Sequence, residues 1–257
     1  MPYDLTVVDS FTDRPFAGNP AAVAVVEQFP PEIEMQSIAR EMNLSETAFA
    51  VSRADGSYDL RWFTPTVEVD LCGHATLATA HVLGGTARFL TRSGALTCTA
   101  GGDGWIEMDF PADPPVVTDF PDTLGIPGVK GCRRGRTDLL VELHDAAAVR
   151  AFESTPKRLA AMADLGVRCV IVTAFGDSAG IDCVSRVFAP AAGIAEDPVT
   201  GSAHCTLSPF WSERLGRNEL VGEQASPRGG IVRMRLAGDR VVLGGRAVTV
   251  SKVQMLV

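Results

Sequence analysis

Two stretches hold most of the residues with usable chemistry. Residues 61–76 read RWFTPTVEVDLCGHAT, and residues 186–203 read RVFAPAAGIAEDPVTGSA. Each writes Arg-x-Phe-x-Pro, then an acidic segment, then a Gly-led turn of small residues: Gly73-His74 in the first copy, Gly201-Ser202 in the second. A helix that starts at such a turn offers unpaired N–H groups and a partial positive charge, which suit an anionic ligand or a developing oxyanion. His74 has two readings, a satisfied cap or core residue, or a donor to a substrate carboxylate that can relay a proton. Asp197, just before the second turn, either complements the helix dipole or pairs with a substrate amine or with His74. Glu46 opens the apolar stretch ETAFAV. It is either a solvated strand-end carboxylate or a partly buried one whose pKa is pushed toward neutrality, as proton shuttling needs.

Other chemistries lack their signatures. His81 and His204 get no functional role, because no histidine has H-x-x-H or HExxH spacing, and no metal site is expected. There is no G-x-G-x-x-G after a strand and no G-x-x-x-x-G-K-[ST], which argues against nucleotide cofactors. The six cysteines are scattered without a C-x-x-C pair, a pattern that suits a reducing cytoplasm. The formal net charge of −8 argues against nucleic acid and anionic membranes as partners. Arg133, Arg134 and Arg136, the densest basic cluster, read as a solvated loop. No basic n-region followed by an apolar h-region opens the chain, and no apolar run approaches the roughly 20 residues that span a bilayer.

The elements that must position these residues are legible in outline. DLTVVDSF and AAVAVVE read as strands, followed by a helix over about 31–43 on the stripe Met35, Ile38, Ala39 and Met42. ETAFAVS and SYDLRWFT read as strands. HATLATAHVLGG, small and apolar on all sides, reads as a buried helix. In the second half LLVEL, RCVIVTAF and CVSRVFAP are strands, DAAAVRAFES and PKRLAAMADLG helices, and SAHCTLSPFWSERLG takes the place of the buried helix. Three short strands close the chain. A proline-rich link near 110–128 divides the halves. At 257 residues, 46% apolar and 21% charged, the chain is long enough for two globular domains of roughly 100–150 residues each. The fold class is α+β: two related halves, each a set of mostly antiparallel strands around one small-residue helix. If the halves face each other, the two Gly-led turns build a two-sided, anion-tolerant site.

DSFTDRPFAGNPAAV at 9–23, NLSETAF at 43–49, LCGHATLATAHVL at 71–83 and EDPVTGSAH at 196–204 resemble the phenazine-biosynthesis PhzF-like family, whose fold is that of diaminopimelate epimerase. The blocks stand in the family's order over nearly the whole chain. The resemblance implies two pseudo-symmetric domains, each a barrel-like sheet around a central helix. They are expected at 1–112 and 118–245, with 246–257 returning to the first. It also implies an isomerase that moves a proton between carbons, as the family's trans-2,3-dihydro-3-hydroxyanthranilate isomerase does, with no cofactor and a homodimeric assembly. The family's acid/base glutamate falls on Glu46, its Gly-His pair on Gly73 and His74, and its second-half Asp and Gly-Ser on Asp197, Gly201 and Ser202, as substrate-binding residues. Racemases of this fold use two cysteines. Cys72 fits the first position, but Pro198-Val199 stand where the second is expected, so a two-base racemase is the alternative, together with a non-catalytic metabolite-binding protein. Trp62, Arg61, Arg40 and Arg228 are candidate pocket walls.

Overall fold

The computed structural model describes residues 2–257. In chain order the elements begin with β1 Tyr3–Ser10, β2 Asn19–Val26, α1 Glu32–Met42, β3 Glu46–Ser52, β4 Tyr58–Phe63, β5 Glu68–Val69 and α2 Gly73–Val82. Strands β6 Ala87–Thr91, β7 Gly94–Ala100 and β8 Ile106–Pro111 follow. Next come β9 Val116–Val117, β10 Val129–Arg134, β11 Asp138–Leu143, α3 Ala146–Arg150, α4 Pro156–Ala163, β12 Cys169–Phe175, β13 Cys183–Ala189 and β14 Ile194–Asp197. Helix α5 Gly201–Leu215, β15 Glu219–Gln224, β16 Gly230–Ala237, β17 Arg240–Gly245 and β18 Ala247–Met255 complete the chain. The chain divides into two compact units. One runs to Asp109 and takes back Gly244–Val257; the other is Phe110–Leu243.

The two units repeat one pairing pattern. In the first, β1–β2 is antiparallel, β2–β3 parallel, β3–β4 antiparallel, β4–β6 parallel and β6–β7 antiparallel. The second has β10–β11 antiparallel, β11–β12 parallel, β12–β13 antiparallel, β13–β15 parallel and β15–β16 antiparallel. The duplication visible as repeated letters is thus a duplication of topology.

The repeated Arg-x-Phe is a structural clamp. Residues i and i+2 of a strand share a face, so each arginine lies over its own phenylalanine: Arg61 is 5.2 Å from the Phe63 ring centroid and Arg186 is 5.4 Å from that of Phe188. Each then donates two hydrogen bonds to the acidic segment that follows. Arg61 reaches both oxygens of Glu68 on β5 at 2.7 and 2.6 Å, and Arg186 both oxygens of Glu196 on β14 at 2.7 Å each. Planar two-point pairing of this kind fixes geometry as well as charge. Arg61 is committed to this clamp, and Trp62 is 1% exposed.

The helices follow their composition. Helix α1 buries Met35, Ile38 and Ala39, carries Glu32 and Glu34 in its first turn, and stops at Asn43 in the left-handed region. Those residues meet Leu5, Ala22, Ala24, Phe49 and Phe63 in the first core. Every residue of α2 from His74 to Ala80 is buried, which its sequence without a polar face requires. Gly245 admits the closing chain against it: a Cβ there would lie 2.6 Å from Leu77 and from Phe11.

Two sequence expectations need correction. Arg133 and Arg134 are not in a solvated loop. They sit in β10, where Arg133 pairs with Glu213 at 3.0 Å, while Arg136 pairs with Asp113 at 3.4 Å. The helix expected over DAAAVRAFES spans only Ala146–Arg150, capped by Asp145, because Thr155-Pro156 starts a separate helix a few residues on.

Candidate active site

Three elements of the first unit bring their ends to one place. Asn19 begins β2, Glu46 begins β3, Cys72 is the N-cap of α2, and His74 lies in that helix's first turn. The parallel register, Ala21 beside Glu46, sets two of these strand starts side by side. The turn that delivers Asn19 requires glycine. Gly18 has φ +64°, and a Cβ there would lie 2.1 Å from the Ser10 carbonyl oxygen. Ser10 in turn donates to the His74 carbonyl at 2.8 Å.

The imidazole of His74 stands at the centre. Its Nε2 lies 2.9 Å from Glu46 Oε2, close enough for a strong charge contact, although neither atom has an aligned hydrogen bond. Its Nδ1 faces Asn19 Nδ2 at 3.2 Å and Cys72 Sγ at 3.4 Å. Glu46 is 8% exposed and His74 5%. Burial pulls the imidazole down, but Cys72 and Glu46 outweigh it and hold His74 well above its ordinary value of 6.5. Burial, and after it the Glu46 charge, push Cys72 up to about 11. Cys72 is therefore a neutral thiol at pH 7.

Ligand-type atoms of Glu46, Cys72 and His74 lie within 4.8 Å of one another. The ring separates them, however: Glu46 meets one nitrogen and Cys72 the other. One ion can bind only one ring nitrogen at a time, so this order describes a proton path better than a metal cage.

In the second unit the Gly-led turn is braced rather than poised. Thr200, not Pro198 or Val199, is the N-cap of α5 and so stands where Cys72 stands on α2. Its hydroxyl donates to Asp197 Oδ2 at 2.5 Å, and its N–H to Gln224 Oε1 at 2.8 Å. Gln224 returns a bond to the Asp197 carbonyl at 2.8 Å, and Ser226 donates to that of Pro198 at 2.7 Å. Ser202 Oγ accepts from Arg168 Nη1 at 2.5 Å. His204 is fully buried with Nδ1 2.8 Å from the Thr200 carbonyl, and burial lowers it to about 4. His81 meets Thr249 Oγ1 at 3.0 Å through Nε2.

Of the sequence candidates, Glu46, Gly73 and His74 form one cluster in the first unit, and Asp197, Gly201 and Ser202 one turn in the second. Sequence reading missed Asn19 and Arg168. The GNP turn is the only local mark of the first, and nothing around Arg168 marks the second.

Residues 8–253 match the phenazine biosynthesis-like protein family, PhzC-PhzF. The chain belongs to that family. It is 46% identical over 270 residues to an uncharacterized isomerase of Halalkalibacterium halodurans, covering 100% of this chain and 99% of that one. A PhzF-family crystal structure from Enterococcus faecalis, 43% identical, covers both chains completely with a TM-score of 0.93. A hydroxyproline epimerase from Agrobacterium vitis, 12% identical with a TM-score of 0.59, shares the fold over 99% of this chain and 92% of its own. The α+β class read from the sequence is therefore the fold of PhzF-like and epimerase-type proteins.

Proposed function

We propose that this PhzF-family protein is a cofactor-independent isomerase that moves a proton between carbons of a small carboxylated metabolite. Glu46 takes the proton and returns it. The observation that carries this reading is the Glu46–His74 contact: a carboxylate 8% exposed, 2.9 Å from a buried imidazole in the first turn of a helix. Relatives named as isomerases support the reaction class. In the proposed step Glu46 removes a proton from a carbon acid, and negative charge spreads into an enolate- or dienol-like system. In the first unit the N–H groups of Gly73 and His74 stabilise that charge; in the second, Asp197, Gly201 and Ser202 are taken as substrate-binding residues, Asp197 as partner for a substrate amine. The His74 ring beside Glu46 donates toward negative charge near the reacting carbon until Glu46 gives the proton back.

Two features disfavour a two-thiol racemase. Cys72 is a buried thiol at about 11, and its counterpart position is a threonine. We further assign the protein to the cytoplasm as a homodimer; six buried, unpaired cysteines fit a reducing compartment. No helix among the described residues is long and apolar enough to cross a membrane.

The reading is tested by incubating the protein in D2O with a panel of small carboxylates and following loss of C–H signals by NMR. A wild type that exchanges or isomerises one of them, with Glu46→Gln inactive, supports it. Binding without any exchange replaces it with the metabolite-binding alternative.

A further inference from the structure

The repeated topology places Cys169 at the start of β12 as Glu46 stands at the start of β3, with Arg168 immediately before it. Ser202 occupies on α5 the place that His74 has on α2. The second unit thus holds an arginine–serine pair where the first holds an acid–base pair.

The Arg168 guanidinium has three hydrogen-bond contacts. Nε donates to Asp138 Oδ1 at 2.9 Å, Nη2 donates to Asp138 Oδ2, and Nη1 donates to Ser202 Oγ at 2.5 Å. Asp138 is 1% exposed and needs a cation. That need accounts for two of the bonds but not for the third. The Arg168 side chain keeps 42% of its surface exposed and Ser202 is half-buried, so a solute can reach the pair. Having accepted from Arg168, the Ser202 hydroxyl turns its own proton elsewhere, and the neighbouring charge polarises that O–H.

We propose that Arg168 is a positioning residue that fixes Ser202 as a hydroxyl donor to the carboxylate of the substrate. This rests on the isomerase reading only in taking Ser202 as a substrate-holding residue. It adds the residue that orients the donor, so that an anionic carboxylate is held and its neutral amide is not.

The test uses probes matched in shape and differing in charge: benzoate with benzamide, cyclohex-1-enecarboxylate with its amide, and butyrate with butyramide. Each is titrated into the full-length protein at pH 7 and followed by NMR. The wild type should favour the carboxylate by about tenfold or more in at least one pair, the scale of a charge-assisted hydrogen bond. Arg168→Met and Ser202→Ala should each remove most of that preference without changing amide affinity, and Arg168→Lys should keep part of it. Arg168→Met should add no further loss in the Ser202→Ala background, because one residue acts through the other. Arg168→Met also leaves Asp138 without its cation, so the Asp138→Asn/Arg168→Met double variant repeats the measurement with no orphaned charge.

Three outcomes overturn the proposal: a wild type that favours no carboxylate, a preference that survives in the double variant, or losses at Arg168 and Ser202 that add independently. The isomerase reading is decided by proton exchange in Glu46→Gln, a readout separate from these affinities, so the two fail separately.

Discussion

The first turns of α2 and α5 carry related sequences and identical strand pairing, yet they treat protons in opposite ways. On α2, buried His74 faces Glu46 and is held well above 6.5. On α5, buried His204 faces only the Thr200 carbonyl and falls to about 4. Burial acts on both imidazoles in the same direction, so the difference comes from the neighbours, Cys72 and Glu46, that His204 lacks. One copy of the duplicated turn sets a histidine beside a carboxylate and a thiol, and the other holds a threonine N-cap, a serine and an arginine that does not exchange protons near pH 7.

The largest expected effect removes one of the groups that make the copies differ. Glu46→Gln should lower turnover of an identified substrate by about 100- to 10,000-fold with little change in binding, the usual loss for a positioned proton carrier. In the same variant His74 should titrate at lower pH, which 15N NMR can follow because the chain has four histidines. Near wild-type turnover would remove Glu46 from the mechanism. A His74 pKa unmoved by the substitution would remove the carboxylate as a source of the asymmetry.

The same asymmetry has opposite consequences for stability against pH. His74 has a raised folded-state pKa, so its contribution is complete below about 6.5 and is lost as pH rises through the folded value. His204 has a depressed one, so its contribution is complete above about 6.5 and is lost as pH falls toward about 4. A gap of that size is worth on the order of 3 kcal/mol. Denaturant midpoints of His204→Gln should therefore fall less between pH 6.5 and 4 than those of the wild type. Parallel curves would place the acid sensitivity elsewhere.

Much of this arrangement was legible in the sequence, for identifiable reasons. Helix α2 announces itself because a segment with no polar face can only be interior, and α1 because its apolar stripe keeps helical period. The repeated arginines were visible, but their purpose was not. Their role depends on β5 and β14 bringing Glu68 and Glu196 under them, a pairing set by hairpin geometry. Strand β8 carries a plain alternation, Ile106, Met108 and Phe110 with Glu107 and Asp109 between, yet no motif draws attention to it. Glu46 and His74 could be nominated as candidates. Their contact, and Asn19 on the far nitrogen, needed the parallel register of β2 and β3. Arg168 stayed hidden because its partners, Asp138 and Ser202, lie 30 and 34 residues away.

A smaller effect sharpens the comparison at the N-cap. Cys72→Ser exchanges the thiol for the kind of hydroxyl that the second unit carries at Thr200. Since the thiol is neutral at pH 7 and only flanks His74, activity should stay within about fivefold of the wild type, the loss of one weak neutral hydrogen bond. Near-complete loss with binding retained would move the chemistry from the carboxylate to the sulfur.

The central claim is that one shielded carboxylate carries the proton both ways, and the fate of the substrate's own hydrogen tests it most directly. A substrate deuterated at the reacting carbon is turned over in ordinary water, and its product is examined by mass spectrometry at low conversion. Glu46, 8% exposed, should return part of the label to the new carbon of the same molecule. Product with no transferred deuterium at any conversion would contradict a single carrier and point to two bases working from separate positions.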